Sequence, residues 1–257
     1  MSVSILSLLA LAIFATAMLS GVFGMAGGMV LMVILLAFLP VQIAMTLHAS
    51  VQLIANGWRC FLWRKHIVWR VISPYAAGMV AGVALISLIH YVPSKPAALI
   101  VLGSIPLLAM AASRRVHISI MNKPQTFITA TVLTFVQMTA GVVGPLLDLL
   151  YNNTHLTRHQ IISTKAFTQS SMHLVRLIYF GAMMPLISGT SSWPAGLSAT
   201  MMLVFAACSI AGTSSAAFVL HKISDQTFKQ ASRILIFCIS LYCLGNGLYL
   251  LMGPQGL

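Results

Sequence analysis

The chain has 257 residues, 59% of them hydrophobic and only 6% charged, with a mean hydropathy of +0.98. A soluble domain carries about 25% charged residues, so composition excludes a soluble enzyme and points to an all-α polytopic membrane protein. The formal net charge is +12, with two acids, Asp148 and Asp225. Basic loops beside apolar spans set topology and are not read as nucleic-acid binding. Proton pumps and cation carriers generally need intramembrane carboxylates; this chain has one candidate, Asp148, so an anionic cargo suits the chain better.

The roughly ten-residue alternating segments of a membrane β-barrel are absent. Cys60, Cys208, Cys238 and Cys243 form no CxxC pair and no metal spacing, so they read as apolar fillers and no cofactor is expected. The N-terminal stretch lacks a basic n-region and a cleavage site followed by a soluble domain, so it is expected to stay as a first span.

In chain order, Ile5 to Val22 is the first predicted helix. It runs into a glycine stretch with Gly21, Gly24, Gly27 and Gly28. A short apolar piece, Met29 to Leu39, closes at Pro40 and is too brief to cross alone. Gln42 to Trp63 is a helix with a polar stripe, and Val71 to Tyr91 and Ala97 to Ser113 are further spans. Phe127 to Val143 opens the second half, followed by a short piece, Leu146 to Asn153. Thr157 to Phe180 is a second striped helix, and Ala195 to Leu220 and Ile234 to Leu251 complete the set.

The two stripes organise the reading. Lys165, Gln169, His173 and Arg176 are spaced 4, 4 and 3, as are His48, Gln52, Asn56 and Arg59. At about 100° per residue each set stays within a stripe of roughly 80° on one helix. The second stripe follows the first by 117 residues, and Gly141 and Gly144 follow Gly21 and Gly24 by 120. Residues 1–122 and 123–257 therefore read as two repeat halves of one integral membrane domain. Each half has four full spans and one short broken helix. Placing the basic loops in the cytoplasm makes the second half inverted relative to the first, with both termini outside.

Candidate site residues follow from the breaks and the stripes. At Gly27-Gly28 and at Gly144-Pro145 a helix breaks and a short one begins, where free N–H groups and a positive helix end meet an anion. Pro145 removes one donor, so the second break is the weaker site. Lys165 lies well inside its helix and needs a counter-charge, either Asp148 or a bound anion. Asp148 is either a coupling-proton site or simply the partner of Lys165. Gln52 and Gln169 bind cargo or bond helices together. His48 and His173 are interhelical donors or titrating groups. Arg59 and Arg176 lie near helix ends, where a long cation snorkels or gates.

The string S-G-V-F-G-M-A-G-G-M-V-L-M-V-I-L-L-A-F-L-P resembles the first half of the sulfite exporter family TauE/SafE. G-V-V-G-P-L-L-D-L-L-Y and the stretch L-T-R-H-Q-I-I-S-T-K-A-F-T-Q-S-S-M-H-L-V-R-L-I-Y-F-G resemble its second half, with Thr164 to Phe180 the more specific part. Thr164 joins the candidate residues on that basis. The chain departs from the family at Pro145 and Asp148, where more glycines are usual. The resemblance implies a small secondary carrier of sulfite, sulfonates or related small anions, multi-pass in the cell inner membrane. Its partners are then the anion and the lipid bilayer, with a coupling proton and a homodimer left open. An intramembrane enzyme is disfavoured by the absence of HExxH, GxSxG and a carboxylate dyad. A carrier of another small solute and a non-transporting membrane scaffold remain as alternatives.

Overall fold

Local signals in the sequence set where the helices begin and break. In the computed structural model the described residues are 3–23, 26–112, 118–151, 154–189, 193, 197–220 and 225–253. Gly24, Arg114, Arg115 and the polar loop around 190–196, apart from Trp193, lie outside them. The first helix, α1 (Val3–Phe23), is followed by the short α2 (Ala26–Phe38) and, after Pro40, by α3 (Val41–Trp63). A single 3-10 turn, Arg64–His66, leads to α4 (Trp69–Leu88), and α5 (Lys95–Ala112) ends the first half.

The second half opens with α6 (Lys123–Ala140), which Asn122 caps by accepting from the Gln125 N–H at 3.1 Å. The helix stops at Gly141, whose φ of 78° only glycine adopts without strain. The short α7 (Gly144–Leu149) follows. Then comes α8 (Arg158–Ile178), which starts with a capping box: Thr157 Oγ1 accepts from the Gln160 N–H, and Gln160 Oε1 accepts from the Thr157 N–H. A π-turn, Tyr179–Met183, carries α8 into α9 (Met184–Ser188). Pro185 stands just beyond it; its missing N–H and its ring rule out a regular turn there, and widening the helix relieves the clash. The last helices are α10 (Ala199–Leu220) and α11 (Asp225–Met252).

Six helices among the described residues are long and apolar enough to cross a membrane, and α2 is a shorter apolar helix. Large apolar side chains such as Leu11, Val80, Leu88, Leu203 and Tyr249 stand exposed on the outside of the bundle. In water such a surface would aggregate; facing lipid it needs no cover. The protein is an all-α polytopic membrane protein. Its α3 and α6 are long but more polar, and His48, Gln52 and Asn56 of α3 and Thr126, Thr134 and Gln137 of α6 are buried.

Helix pairing repeats between the halves. The α1 helix packs on α10 just as α6 packs on α4, while α3 pairs with α8 and α5 with α11. Exchanging first-half elements for their second-half counterparts maps this set onto itself. Small residues let the backbones close up: Gly78 lies against Phe127, Gly82 against Thr131 and Thr134, and Gly21 against Ala216. Contacts also give the directions. Gly212 meets Phe14 and Ala17 while Gly21 meets Ala216, so α1 and α10 run the same way. Arg176 reaches Met45 while Trp63 meets His159, so α3 and α8 run oppositely. Gly103 meets Ser240 and Leu244 while Gly247 meets Leu99 and Ile100, so α5 and α11 do too.

Candidate functional site

The antiparallel α3–α8 seam brings the two polar stripes together. Between them lies a cavity of about 630 Å³. His48, Gln52, Asn56 and Arg59 line it from α3, and Lys165, Gln169 and His173 from α8. Gly28 contributes from the start of α2, and Arg158 stands exposed at the mouth. The opposite end, at His48 and His173, is closed, both side chains being buried.

Hydrogen bonds fix the state of His48. Its Nε2 lies 2.9 Å from the Gly28 carbonyl, which can only accept, so Nε2 carries the proton. Nδ1 is then free to accept from Arg176, whose NH2 lies 2.6 Å away. The same guanidinium donates to the Met45 carbonyl at 3.1 Å and to the Gly141 carbonyl. Arg176 is completely buried, so it does not snorkel. It ties α8 to α3 and to the turn after α6. Gly141 is required there twice over, since a β-carbon would also fall 2.7 Å from the arginine.

His173 faces His48, and its Nδ1 accepts from the Gln137 side-chain amide at 3.1 Å. Asn56 donates to the Gln52 carbonyl at 2.9 Å. Arg59, the counterpart of Arg176, is held far less firmly. Its NH1 reaches Asn56 Oδ1 only at 3.4 Å, and its NH2 is buried with no partner. Lys165 forms an ion pair with Asp148. This pair occupies the place of the His48–Gly28 bond, because Asp148 follows Gly28 by 120 residues and Lys165 follows His48 by 117.

Not every candidate reaches the cavity. Gly27 is wedged against the backbone of Thr16 and Ser20 in α1, so it serves close packing. Gly144 and Pro145 are buried, and the lining comes instead from Gly141, Val142 and Val143 just before them. Thr164 accepts from the Val68 N–H at 3.0 Å and anchors the segment entering α4. Asp148 stands behind Lys165, and Arg176 behind His48. Gln137 and Ser20 line the cavity without having been singled out from the sequence. An amide four residues before Gly141, in a predicted span whose other polar residues are threonines, was the available signal for Gln137. Among the described residues no group of three or more His, Cys, Asp or Glu could hold a metal ion.

The lining thus carries three basic side chains, Arg59, Arg158 and Lys165, with donor amides between them and no carboxylate. Such a set is chemically suited to an anion and ill suited to a cation. Compared with known families, the chain matches the model described as "Sulfite exporter TauE/SafE" over residues 9–243. Comparison with curated proteins and with solved structures gives no match.

Proposed function

Because the chain belongs to the sulfite exporter TauE/SafE family, and is by that membership a multi-pass membrane transporter, we propose that it carries a small sulfur oxyanion by alternating access. Sulfite, a sulfonate or a related anion fits the cavity between α3 and α8. The observation that carries this reading is the lining itself: Arg59, Arg158 and Lys165 face one space, while the nearest carboxylate, Asp148, stands outside it. A planar guanidinium and an ammonium offer a tetrahedral or pyramidal oxyanion several charge-assisted hydrogen bonds.

The antiparallel pairing of counterpart helices supports an inverted repeat. A two-fold axis that relates α3 to α8 with opposite directions must lie across the helices, hence in the membrane plane. The mouth at Arg158 lies beside the basic 64–70 segment, which the charge rule assigns to the cytoplasm of an inner-membrane protein. The present state is then inward-open. The ion pair gives cargo and proton a common target: an arriving anion competes with Asp148 for Lys165, and a proton on Asp148 releases the lysine.

The test is transport by the purified protein in proteoliposomes. Sulfite, methanesulfonate, taurine, sulfate and acetate are offered singly, with and without a pH gradient. Uptake of one or more sulfur oxyanions that vanishes in Lys165→Gln is the expected result. Failure to move any of them, or equal movement by Lys165→Gln, refutes the reading.

A further inference from the structure

The two stripe arginines are equivalent by sequence and opposite in circumstance. Arg176 is clamped by the Gly141 carbonyl, the Met45 carbonyl and His48 Nδ1. The offsets of 120 and 117 residues that relate the halves give each partner a counterpart: Gly21 for Gly141, Ile162 for Met45, Lys165 for His48, and Arg59 for Arg176 itself. All four counterparts line the open cavity. One arginine clamp is closed at the sealed end, and the matching clamp stands open at the mouth.

Chemistry explains what each clamp needs. Gly141 ends α6 and Gly21 lies in the last turn of α1, and carbonyls in a last helical turn have no partner within the helix. Each is therefore available to a guanidinium from the neighbouring stripe. Arg59 has not taken that partner. Its NH2 is buried and unsatisfied beside the cavity, a costly state for a charged donor unless another acceptor arrives. In a space lined by Arg59, Arg158 and Lys165, that acceptor is an oxyanion.

We propose that Arg59 grips the oxyanion in this state and that Arg176 takes the same role in the opposite state, the two guanidiniums exchanging between cargo and carbonyl clamp. When Arg59 closes onto the Gly21 and Ile162 carbonyls the mouth seals, and Arg176 leaves Gly141 and Met45 to open the other end. The second clamp differs in one respect: Lys165 cannot accept from an arginine as His48 does. Asp148, beside Lys165, supplies the acceptor there, which gives a carboxylate at a place the first half fills with Gly28. The proposal rests on the transport reading for its cargo but not for the exchange of clamps.

The test uses the full chain with its four cysteines replaced by serine, in right-side-out and inverted membrane vesicles. Single cysteines are introduced as Met45→Cys at the sealed end or Ile162→Cys at the mouth, and labelled with a membrane-impermeant thiol reagent. Ile162→Cys is expected to react from the mouth side and Met45→Cys to resist from both. Adding Arg176→Gln should expose Met45→Cys from the opposite side and slow labelling of Ile162→Cys severalfold. Arg176→Lys keeps the charge but cannot reach all three acceptors at once, and serves where Arg176→Gln fails to assemble. If Met45→Cys stays unreactive in every assembled background, the exchange is overturned.

Methanesulfonate is then used to protect Ile162→Cys. Arg59→Gln should raise the half-protecting concentration tenfold or more, and Arg59→Lys by less. Unchanged protection overturns the role of Arg59. If the wild-type chain carries none of the anions offered while the labelling exchange persists, the cargo reading falls and the exchange of clamps stands.

Discussion

His48 and His173 face each other across the α3–α8 seam, with ring centroids 5.8 Å apart and planes tilted by 58°. Each ring is held from behind by a different helix: His48 by Gly28 and Arg176, His173 by Gln137. The pair closes one end of the cavity with hydrogen-bonded rings, and His48 stays neutral, because a second proton on it would face the Arg176 donor with nothing to accept it. His48→Ala removes a second donor from the Gly28 carbonyl, which keeps its helical partner, and strands one donor of Arg176 by removing one of its three acceptors. A loss of about 1–3 kcal/mol is expected for stranding a buried polar group, read as a lower melting temperature in detergent. His48→Gln, which can replace at least one bond, should lose less. Equal losses for the two variants would mean that the ring acts by packing alone.

The adjacent glycines of the first break should separate cleanly. A β-carbon at Gly27 would collide with the backbone of Thr16 and Ser20, which cannot yield without moving α1 away from α2. Gly27→Ala is therefore expected to lower the yield of folded protein. At Gly28 the β-carbon would fall 2.9 Å from Gln52 Nε2, the end of a flexible side chain. Gly28→Ala should fold and instead change KM for the transported anion, since it displaces a cavity amide. A folding defect in both, judged by monodisperse elution in detergent, would contradict this division.

Much of this was legible in the sequence because two constraints act on it at once. A helix in lipid keeps a polar residue only where something satisfies it, so the 4, 4, 3 spacing from His48 to Arg59 and again from Lys165 to Arg176 marked the inner faces of α3 and α8. Composition and the repeat offset likewise carried the helical membrane architecture. What spacing does not carry is distance from the cavity. Gly27 and Gly28 are neighbours in sequence yet face α1 and the cavity respectively, and Thr164 precedes Lys165 yet bonds Val68. Arg59 and Arg176 occupy equivalent stripe positions, and only the fold shows that one is sealed in and the other faces the cavity. Gln137 was missed because it has no polar repeat partner: its counterpart at 120 residues before is Ala17.

Thr164→Val distinguishes a structural threonine from a cargo residue. The variant keeps the shape of the side chain but leaves the Val68 N–H without its acceptor. The expected outcome is a stability loss of about 1 kcal/mol with KM for the anion unchanged. A tenfold rise in KM at unchanged stability would place Thr164 in the cargo path after all.

The Lys165–Asp148 pair should contribute little to stability and much to transport. Asp148's side chain is 44% exposed and that of Lys165 17%, so the pair is only partly buried and its net worth is at most about 1 kcal/mol. Asp148→Asn is expected to leave the melting temperature nearly unchanged while removing any dependence of anion uptake on a pH gradient. Lys165→Gln should abolish uptake. The double variant Asp148→Asn/Lys165→Gln should be as inactive as Lys165→Gln alone, because the carboxylate acts through the lysine. Restored uptake in the double variant would mean that the ammonium's only task is to neutralise Asp148.

The last prediction concerns Gln52 and Gln169, which are counterparts by the repeat offset and line the same cavity from antiparallel helices. In an inverted repeat, counterpart residues at the crossing of two equivalent helices lie near the two-fold axis, hence near mid-depth. That is where carriers of this architecture hold their substrate. An amide at each position can donate to an oxyanion from either face, and residues near the axis are expected to stay close while the ends of α3 and α8 open in turn. Cysteines placed at 52 and 169 in a cysteine-free background should therefore cross-link with a short bifunctional reagent in both conformations of the carrier. Methanesulfonate should slow the reaction by occupying the space between them. Replacing both glutamines with leucine keeps the bulk, removes the donors, and should cut transport at least tenfold, since an anion in an apolar waist loses two hydrogen bonds at its most desolvated point. If the cysteines never cross-link, and the double leucine variant transports normally, the cargo path does not run between the stripes.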